Sequence, residues 1–124
     1  MGGLTMNSIA NRIEVVNVRG LGPRTDGAGI VYVGRRCQGW QGSVLGNPFR
    51  IGVDGNREEV IRKYQDWLKK KLETDPRVQS AIMNLVWMLY GGERVRLGCW
   101  CAPLPCHADV IKSVVVEHYQ TLFA

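Results

Sequence analysis

The chain has 124 residues, 45% of them hydrophobic and 22% charged, and its formal net charge is +5. This length suits a single domain, and a chain of this size buries enough surface to form a core without a disulfide or a metal. The composition excludes fibrous, disordered and disulfide-scaffold proteins. No apolar run approaches the ~20 residues of a membrane span, and the N-terminus lacks the pattern of a signal peptide. We therefore expect a cytoplasmic protein with reduced thiols and no membrane partner.

The sequence predicts one domain over residues 1–124, in which residues 1–12 form a flexible N-terminal extension. Three strands are predicted, at residues 13–18, 30–33 and 94–101. The first two are runs of β-branched residues bounded by glycine. The third alternates between charged and apolar residues at first and then becomes wholly apolar, as a strand does when both its faces are covered.

Three helices are predicted. The first begins after an Asn56 cap, the second begins at Asp75 with Pro76 in its first position and ends before Gly91, and the third covers residues 108–122. The apolar residues expected to face the core recur at helical spacing: Val60, Tyr64, Trp67, Leu68, Leu72, Val78, Ile82, Leu85, Val86, Leu89, Val110, Ile111, Val114, Val115 and Leu122. The order β-β-α-α-β-α predicts an α/β fold, a single small three-layer sandwich with a short, mainly parallel sheet of Rossmann-like type.

The basic residues of the first half of the chain are all arginine. Residues 1–56 hold six arginines against three acidic residues, whereas residues 57–75 mix six basic with five acidic side chains. The mixed segment is typical of a solvated helix face. The guanidinium fork of arginine matches phosphate and carboxylate groups, so the first half is expected to face an anionic ligand. The alternative that the sequence leaves open is that these arginines form ion pairs with carboxylates on the protein surface.

A cluster of thiols and one imidazole lies in the stretch CWCAPLPCH. An extended backbone places Cys99 and Cys101 on one face, and the Pro-x-Pro turn brings Cys106 and His107 to a helix start, where free N–H groups favour an anion. Three functions stay open: zinc binding by these four residues, nucleophilic catalysis by Cys106 or Cys101 with His107 as the base, and binding of an anion or nucleotide. The structural alternative is that the thiols belong to the core and His107 caps the helix. Asp109 is placed to support the helix start or to orient the imidazole.

Several segments together resemble an uncharacterised bacterial and phage family, the domain-of-unknown-function family numbered four-three-two-six. They include NVR at 17–19, VYVGR at 31–35, LGNPF at 45–49 and CWCAPLPCHAD at 99–109, and the resemblance covers about residues 15–115. The family name carries no activity. The resemblance implies a compact α/β domain whose motif residues come from loops and strand ends.

Four of these motif residues lie at the ends of predicted strands. Asn17 and Arg19 end the first strand, Arg35 the second and Cys101 the third. If the strands are parallel, their ends meet at one edge, where open α/β sheets bind ligands. The loop with the sequence GNPF is expected to cover that edge, with Asn47 offering an amide. The predicted ligand-binding residues are Asn17, Arg19, Arg35, Asn47, Cys101 and Asp109, and the predicted catalytic residues are Cys106 and His107.

The leading functional hypothesis is a nucleotide- or nucleic-acid-related ligand-binding domain with an anionic partner. A second hypothesis is an enzyme that uses Cys106 or Cys101 with His107 on a nucleotide or a base. A third is a non-catalytic phage or bacterial protein that binds a partner protein through Trp40. The sequence points to no particular cofactor and assigns no metal.

Overall fold

The computed structural model describes residues 6–21 and 29–123. Its elements in chain order are α1 (Met6–Ala10), β1 (Ile13–Asn17), β2 (Ile30–Tyr32), α2 (Arg57–Thr74), α3 (Pro76–Tyr90), β3 (Val95–Cys99) and α4 (His107–Phe123). The three strands form a sheet of order β1-β3-β2 in which both pairs are parallel. The predicted α/β class with a parallel sheet is confirmed. The third strand is shorter than expected because the chain turns after Cys99 instead of continuing to Cys101.

The segment before the first strand is packed where the structure describes it. The side chain of Ile9 in α1 is completely buried in the core, and Arg12 donates a hydrogen bond to the carbonyl of Glu93 at 2.9 Å. Residues 1–5 lie outside the described residues. The part of the expected extension that the structure describes, residues 6–12, therefore packs on the domain through a buried isoleucine and a hydrogen bond to a residue 81 positions later.

The helix starts follow local signals in the sequence. The Asn56 side chain accepts a hydrogen bond from the Glu59 amide, and the Glu59 carboxylate accepts one from the Asn56 amide, each at 2.9 Å. Asp75 accepts from the Arg77 amide in the same way, with Pro76 in the first helical position. Both predicted caps are confirmed. Each cap satisfies amide groups that a helix start leaves without partners.

The core lies where α2, α3 and α4 meet one face of the sheet. Every residue predicted to face the core from α3 is buried, as are Val60, Tyr64 and Leu68 of α2. The prediction for Leu122 is wrong, since 52% of its surface is exposed. The last turn of α4 contacts α3 through Phe123, whose ring lies 5.7 Å from that of Trp87, and this leaves Leu122 in solvent.

The two faces of the sheet are covered differently. Alternate residues of β3 from Val95 to Cys99 belong to the helical core. On the other face, Tyr32 lies beside Gly98, and its ring stacks on Trp40 with 5.0 Å between the ring centroids. Loop and aromatic side chains therefore cover part of the face where a third layer of helices was expected. Within the described ranges, no helix is long and apolar enough to cross a membrane.

Candidate ligand-binding site

A cavity of about 640 Å³ opens beside the carboxyl ends of β2 and β3. Its walls come from the turn after each of these strands, the GNPF loop, and the first turns of α2 and α4. The lining residues are Gly34, Arg35, Arg36, Cys37, Asn47, Phe49, Arg50, Ile51, Val53, Arg57, Val60, Ile61, Cys99, Trp100, Cys101, Pro105, Cys106 and His107. The volume falls in the range of small-molecule sites, and the position matches the edge at which parallel sheets bind ligands.

The cavity is strongly basic. Arg35, Arg36, Arg50 and Arg57 line it, and no aspartate or glutamate does. In the described part of the chain, salt bridges form at Arg77 and Arg96, and none forms at these four arginines. Four guanidinium groups without an ion-pair partner among the described residues make this wall attractive to an anion.

Two of these arginines are held in place by backbone carbonyls. Arg35 Nη1 donates to the carbonyls of Asn47 at 2.8 Å and Phe49 at 3.3 Å, which ties it to the GNPF loop. Arg57 Nη1 donates to the carbonyl of Pro105 at 2.9 Å, which ties the start of α2 to the turn before α4. These bonds fix both guanidinium groups and leave further N–H donors on each of them.

The structure brings together five of the eight residues predicted for the site. Arg35, Asn47, Cys101, Cys106 and His107 all line the cavity. The GNPF loop forms part of its wall, as the sequence predicts. The Asn47 side chain accepts a hydrogen bond from the amide of Phe49 at 2.9 Å, so it shapes the loop from within.

Asn17, Arg19 and Asp109 are not among the residues that line the cavity. The Asn17 side chain donates to the carbonyl of Ala102 at 2.8 Å and accepts from the amide of Arg19 at 2.8 Å, so its amide group is used within the protein. Arg19 follows β1, which β3 separates from β2 and from the cavity. The Asp109 carboxylate accepts from the amide of Cys106 at 2.9 Å and so supports the start of α4, one of the two roles predicted for it.

His107 is a buried ring in the wall of the cavity. Its Nε2 lies 2.7 Å from the carbonyl of Val33, and Tyr64 packs edge-on against it at 5.1 Å. A carbonyl can only accept, so Nε2 carries a proton and Nδ1 is the acceptor of the neutral ring. Nδ1 has no hydrogen-bond partner among the described residues. Burial lowers the pKa of His107, and the hydrogen bond to Val33 opposes that change without reversing it.

Cys106 pairs with Cys99 and not with the neighbouring imidazole. The two Sγ atoms are 3.5 Å apart and both side chains are buried. The S–H of Cys106 and the amides of Ala102 and Cys101 stabilise negative charge on Cys99, so the pKa of Cys99 is lowered, while donation to Cys99 and burial raise the pKa of Cys106. The predicted nucleophile and base, Cys106 and His107, therefore line the same cavity but bond to different partners, because adjacent residues at a helix start point in different directions.

The four residues considered for zinc do not converge on one point. Cys99 and Cys106 meet, whereas His107 is bonded to Val33. Over residues 6–21 and 29–123, no group of three or more His, Cys, Asp or Glu side chains is placed to hold a metal ion.

Sequence reasoning missed three basic residues of the cavity. Arg36 and Arg50 were counted in the arginine excess of the first half but were not assigned to the site, and Arg57 was placed on a solvated helix face. The position of Arg57 in the first turn of a capped helix, directly after a Gly-rich loop, is the local signal that points to the cavity.

The pH dependence of stability tests the state of His107. Because folding holds its pKa below the unfolded value, the unfolded chain binds a proton at higher pH than the folded one. The contribution of His107 to the free energy of unfolding is therefore expected to be complete above about pH 7 and to fall below it, by at most about 1.4 kcal/mol per pH unit. Urea unfolding between neutral and mildly acidic pH measures this loss.

The matched comparison is His107→Gln with His118→Gln. A glutamine at 107 can still donate to Val33 but does not titrate, so the free energy of unfolding should fall less at acidic pH than it does in the parent protein. His118→Gln replaces a histidine that bonds to the carbonyl of Val114 within α4 and does not line the cavity, so it serves as the control substitution. Equal pH slopes for His107→Gln and the parent would show that the buried ring is not the source.

Comparison with known proteins places the chain in a family. A family model described as "Domain of unknown function (DUF4326)" matches residues 17–117, a range that contains the whole cavity lining. An "Uncharacterized 12.4 kDa protein in nrdA-td intergenic region" of Enterobacteria phage T4 is 29% identical over 84 residues, which cover 67% of this chain and 69% of the phage protein. No solved structure matches the chain significantly. The chain belongs to the domain-of-unknown-function family DUF4326, the family that its motifs resemble.

Proposed function

We propose that the protein binds a nucleotide in this cavity, and that it does so in the cytoplasm. The observation that carries the proposal is the set of four arginines, Arg35, Arg36, Arg50 and Arg57, around one cavity whose lining holds no acidic residue. Charge-assisted hydrogen bonds from guanidinium groups are the strongest contacts that side chains offer a phosphate. The four free cysteines support a reducing location.

The arginines differ in how they are prepared for an anion. Arg35 and Arg57 are already anchored to backbone carbonyls, so little side-chain freedom is lost when a phosphate binds to their remaining N–H groups. The side chains of Arg36 and Arg50 make no hydrogen bond within the described residues. They are available to close on the ligand.

The rest of the lining favours a ligand with a planar, apolar part. Phe49, Val60, Ile61 and Trp100 give the cavity an apolar wall, and Nδ1 of His107 is an acceptor for a ligand N–H or O–H group. A nucleotide combines a base that packs on such a wall with a phosphate that pairs with arginine. A bare phosphate would use only half of these contacts.

The alternative functions have less support. Catalysis by Cys106 or Cys101 with His107 as base remains a prediction, but the side chains of Cys106 and His107 have different partners. For partner binding, Trp40 was the expected contact residue. Trp40 is only 9% exposed, and its indole donates to the carbonyl of Leu21 at 3.2 Å, so it is a packed residue instead of an exposed anchor.

Titration calorimetry with nucleoside mono-, di- and triphosphates, the matching nucleosides and inorganic phosphate tests the proposal. We expect nucleotides to bind more tightly than either nucleosides or phosphate. Arg36→Ala and Arg50→Ala should each weaken nucleotide binding by about 10- to 150-fold, since a hydrogen bond to a charged group contributes about 1.5–3 kcal/mol. Arg19→Ala is the matched control, because it removes an exposed arginine that does not line the cavity.

Three outcomes would contradict the proposal. Nucleosides that bind as tightly as their phosphates would show that the arginines are not used. An equal loss of affinity in Arg19→Ala would indicate a diffuse charge effect and not a cavity. Tight binding of short oligonucleotides in place of mononucleotides, with a steep dependence on salt, would favour a nucleic-acid partner.

A further inference from the structure

Two thiols meet in the wall of the cavity. Cys99 ends β3, Cys106 precedes the first residue of α4, and their Sγ atoms are 3.5 Å apart. Only 1% of Cys99 and 4% of Cys106 is exposed, yet both contribute to the cavity surface. The protein shields this pair of thiols from bulk solvent, and the cavity is the route by which a small molecule can reach them.

The surroundings prepare one thiol of the pair to react. The S–H of Cys106 donates to the sulfur of Cys99 at 3.5 Å, and the backbone amides of Ala102 and Cys101 also favour negative charge on that sulfur. These donors lower the pKa of Cys99, and thiolate is the reactive form of cysteine. Cys106 keeps its proton because it is the donor. The pair therefore consists of an attacking thiolate and a protonated neighbour within reach.

We propose that Cys99 and Cys106 form a peroxide-reactive dithiol whose oxidant enters through the cavity. The Cys99 thiolate attacks one oxygen of hydrogen peroxide, the O–O bond breaks, and the departing hydroxide takes a proton from solvent to become water. The product is a sulfenic acid on Cys99. The sulfur of Cys106 then attacks that of Cys99, the S–S bond forms, and hydroxide leaves with the Cys106 proton as a second water. Two thiols and one peroxide thus give one disulfide and two waters.

The move needed for the second step is short. A disulfide has a sulfur–sulfur distance of about 2.05 Å. From 3.5 Å, the two sulfurs must approach by about 1.5 Å, which rotation of both side chains with a small shift of the turn between β3 and α4 can supply. The bond would tie the end of the central strand to the start of α4, directly in the cavity wall.

Peptide mapping by mass spectrometry after treatment with equimolar hydrogen peroxide tests the proposal on the native chain. We expect the intact mass to fall by two hydrogen atoms, a single linked pair of peptides carrying Cys99 and Cys106, and full recovery on addition of a dithiol reductant. The same treatment of the chain unfolded in urea should give no preference for this pair. A native protein that links other cysteines, or that forms no linkage, would overturn the proposal.

Substitutions assign the two roles. Cys106→Ser should leave a sulfenic acid on Cys99, which a dimedone adduct on that peptide reports, and Cys99→Ser should give neither adduct nor linkage. Cys37→Ser is the control and should keep the Cys99–Cys106 bond. A dimedone adduct confined to Cys101 would show that the partly exposed thiol is the reactive one. If a buried serine prevents folding, mapping of the parent protein still decides, and neither result depends on nucleotide binding.

Discussion

Tyr64→Ala is expected to lower the free energy of unfolding by about 3–5 kcal/mol, the range for removing a large aromatic side chain from a core. Tyr64 is completely buried. Its ring packs edge-on against His107 at 5.1 Å, and its hydroxyl donates to the carbonyl of Leu45 at 2.7 Å. One side chain of α2 thereby contacts the start of α4 and the residue that precedes the GNPF loop. Urea unfolding followed by tryptophan fluorescence measures the loss.

Tyr64→Phe separates the hydroxyl from the ring. It keeps the ring packing but leaves the buried Leu45 carbonyl without its donor, which we expect to cost about 1–3 kcal/mol. Tyr90→Phe is the matched control, because Tyr90 is 58% exposed and the change should stay within about 0.5 kcal/mol. If Tyr64→Phe is as harmless as Tyr90→Phe, then the hydroxyl does not hold the loop.

The fold was predictable wherever its causes are local. Asn56 and Asp75 cap helices through contacts two or three residues away, so their spacing in the sequence is sufficient to place both helix starts. The N-terminal helix was missed for the opposite reason. Its five residues form no amphipathic repeat, and α1 is held by packing of Ile9 against a core made by distant segments.

The candidate site was predictable only in part because its residues meet through strand order. The order β1-β3-β2 places the end of β1 away from the end of β2, and nothing within β1 encodes that position. Arg19 therefore lies outside the cavity while Arg35 lines it. Arg57 lines it because its partner is the carbonyl of Pro105, 48 residues later in the chain.

The hydrogen-bond partners of the side chains at the start of α4 were the other unpredictable feature. Cys106 and His107 are neighbours in sequence, and the motif that contains them suggests joint chemistry. Their partners are instead Cys99, seven residues earlier, and Val33, 74 residues earlier. Both residues still line the cavity, although the motif did not define the pairing within it.

The packing of the central strand gives the second large effect. Gly98 belongs to β3, the central strand, which lies between β1 and β2. A Cβ at this position would be 2.7 Å from Cγ2 of Ile30 in β2 and 2.8 Å from Cγ1 of Val18, which follows β1. Real Cβ atoms do not approach so closely, and both neighbours are β-branched side chains with little rotational freedom. We expect Gly98→Val to cost about 3 kcal/mol, as overpacking of a well-filled core does, and Gly98→Ala to cost less.

Gly91 provides the matched comparison for both substitutions. It follows α3 with a φ of −76°, and the nearest atom to an added Cβ would be 3.5 Å away, which is an ordinary contact. Gly91→Ala and Gly91→Val should therefore change the free energy of unfolding much less than the same changes at 98. Because Gly98 immediately precedes Cys99, strain there should also separate the strands at the edge where the cavity opens. Equal costs at the two positions would show that Ile30 and Val18 do not confine the central strand.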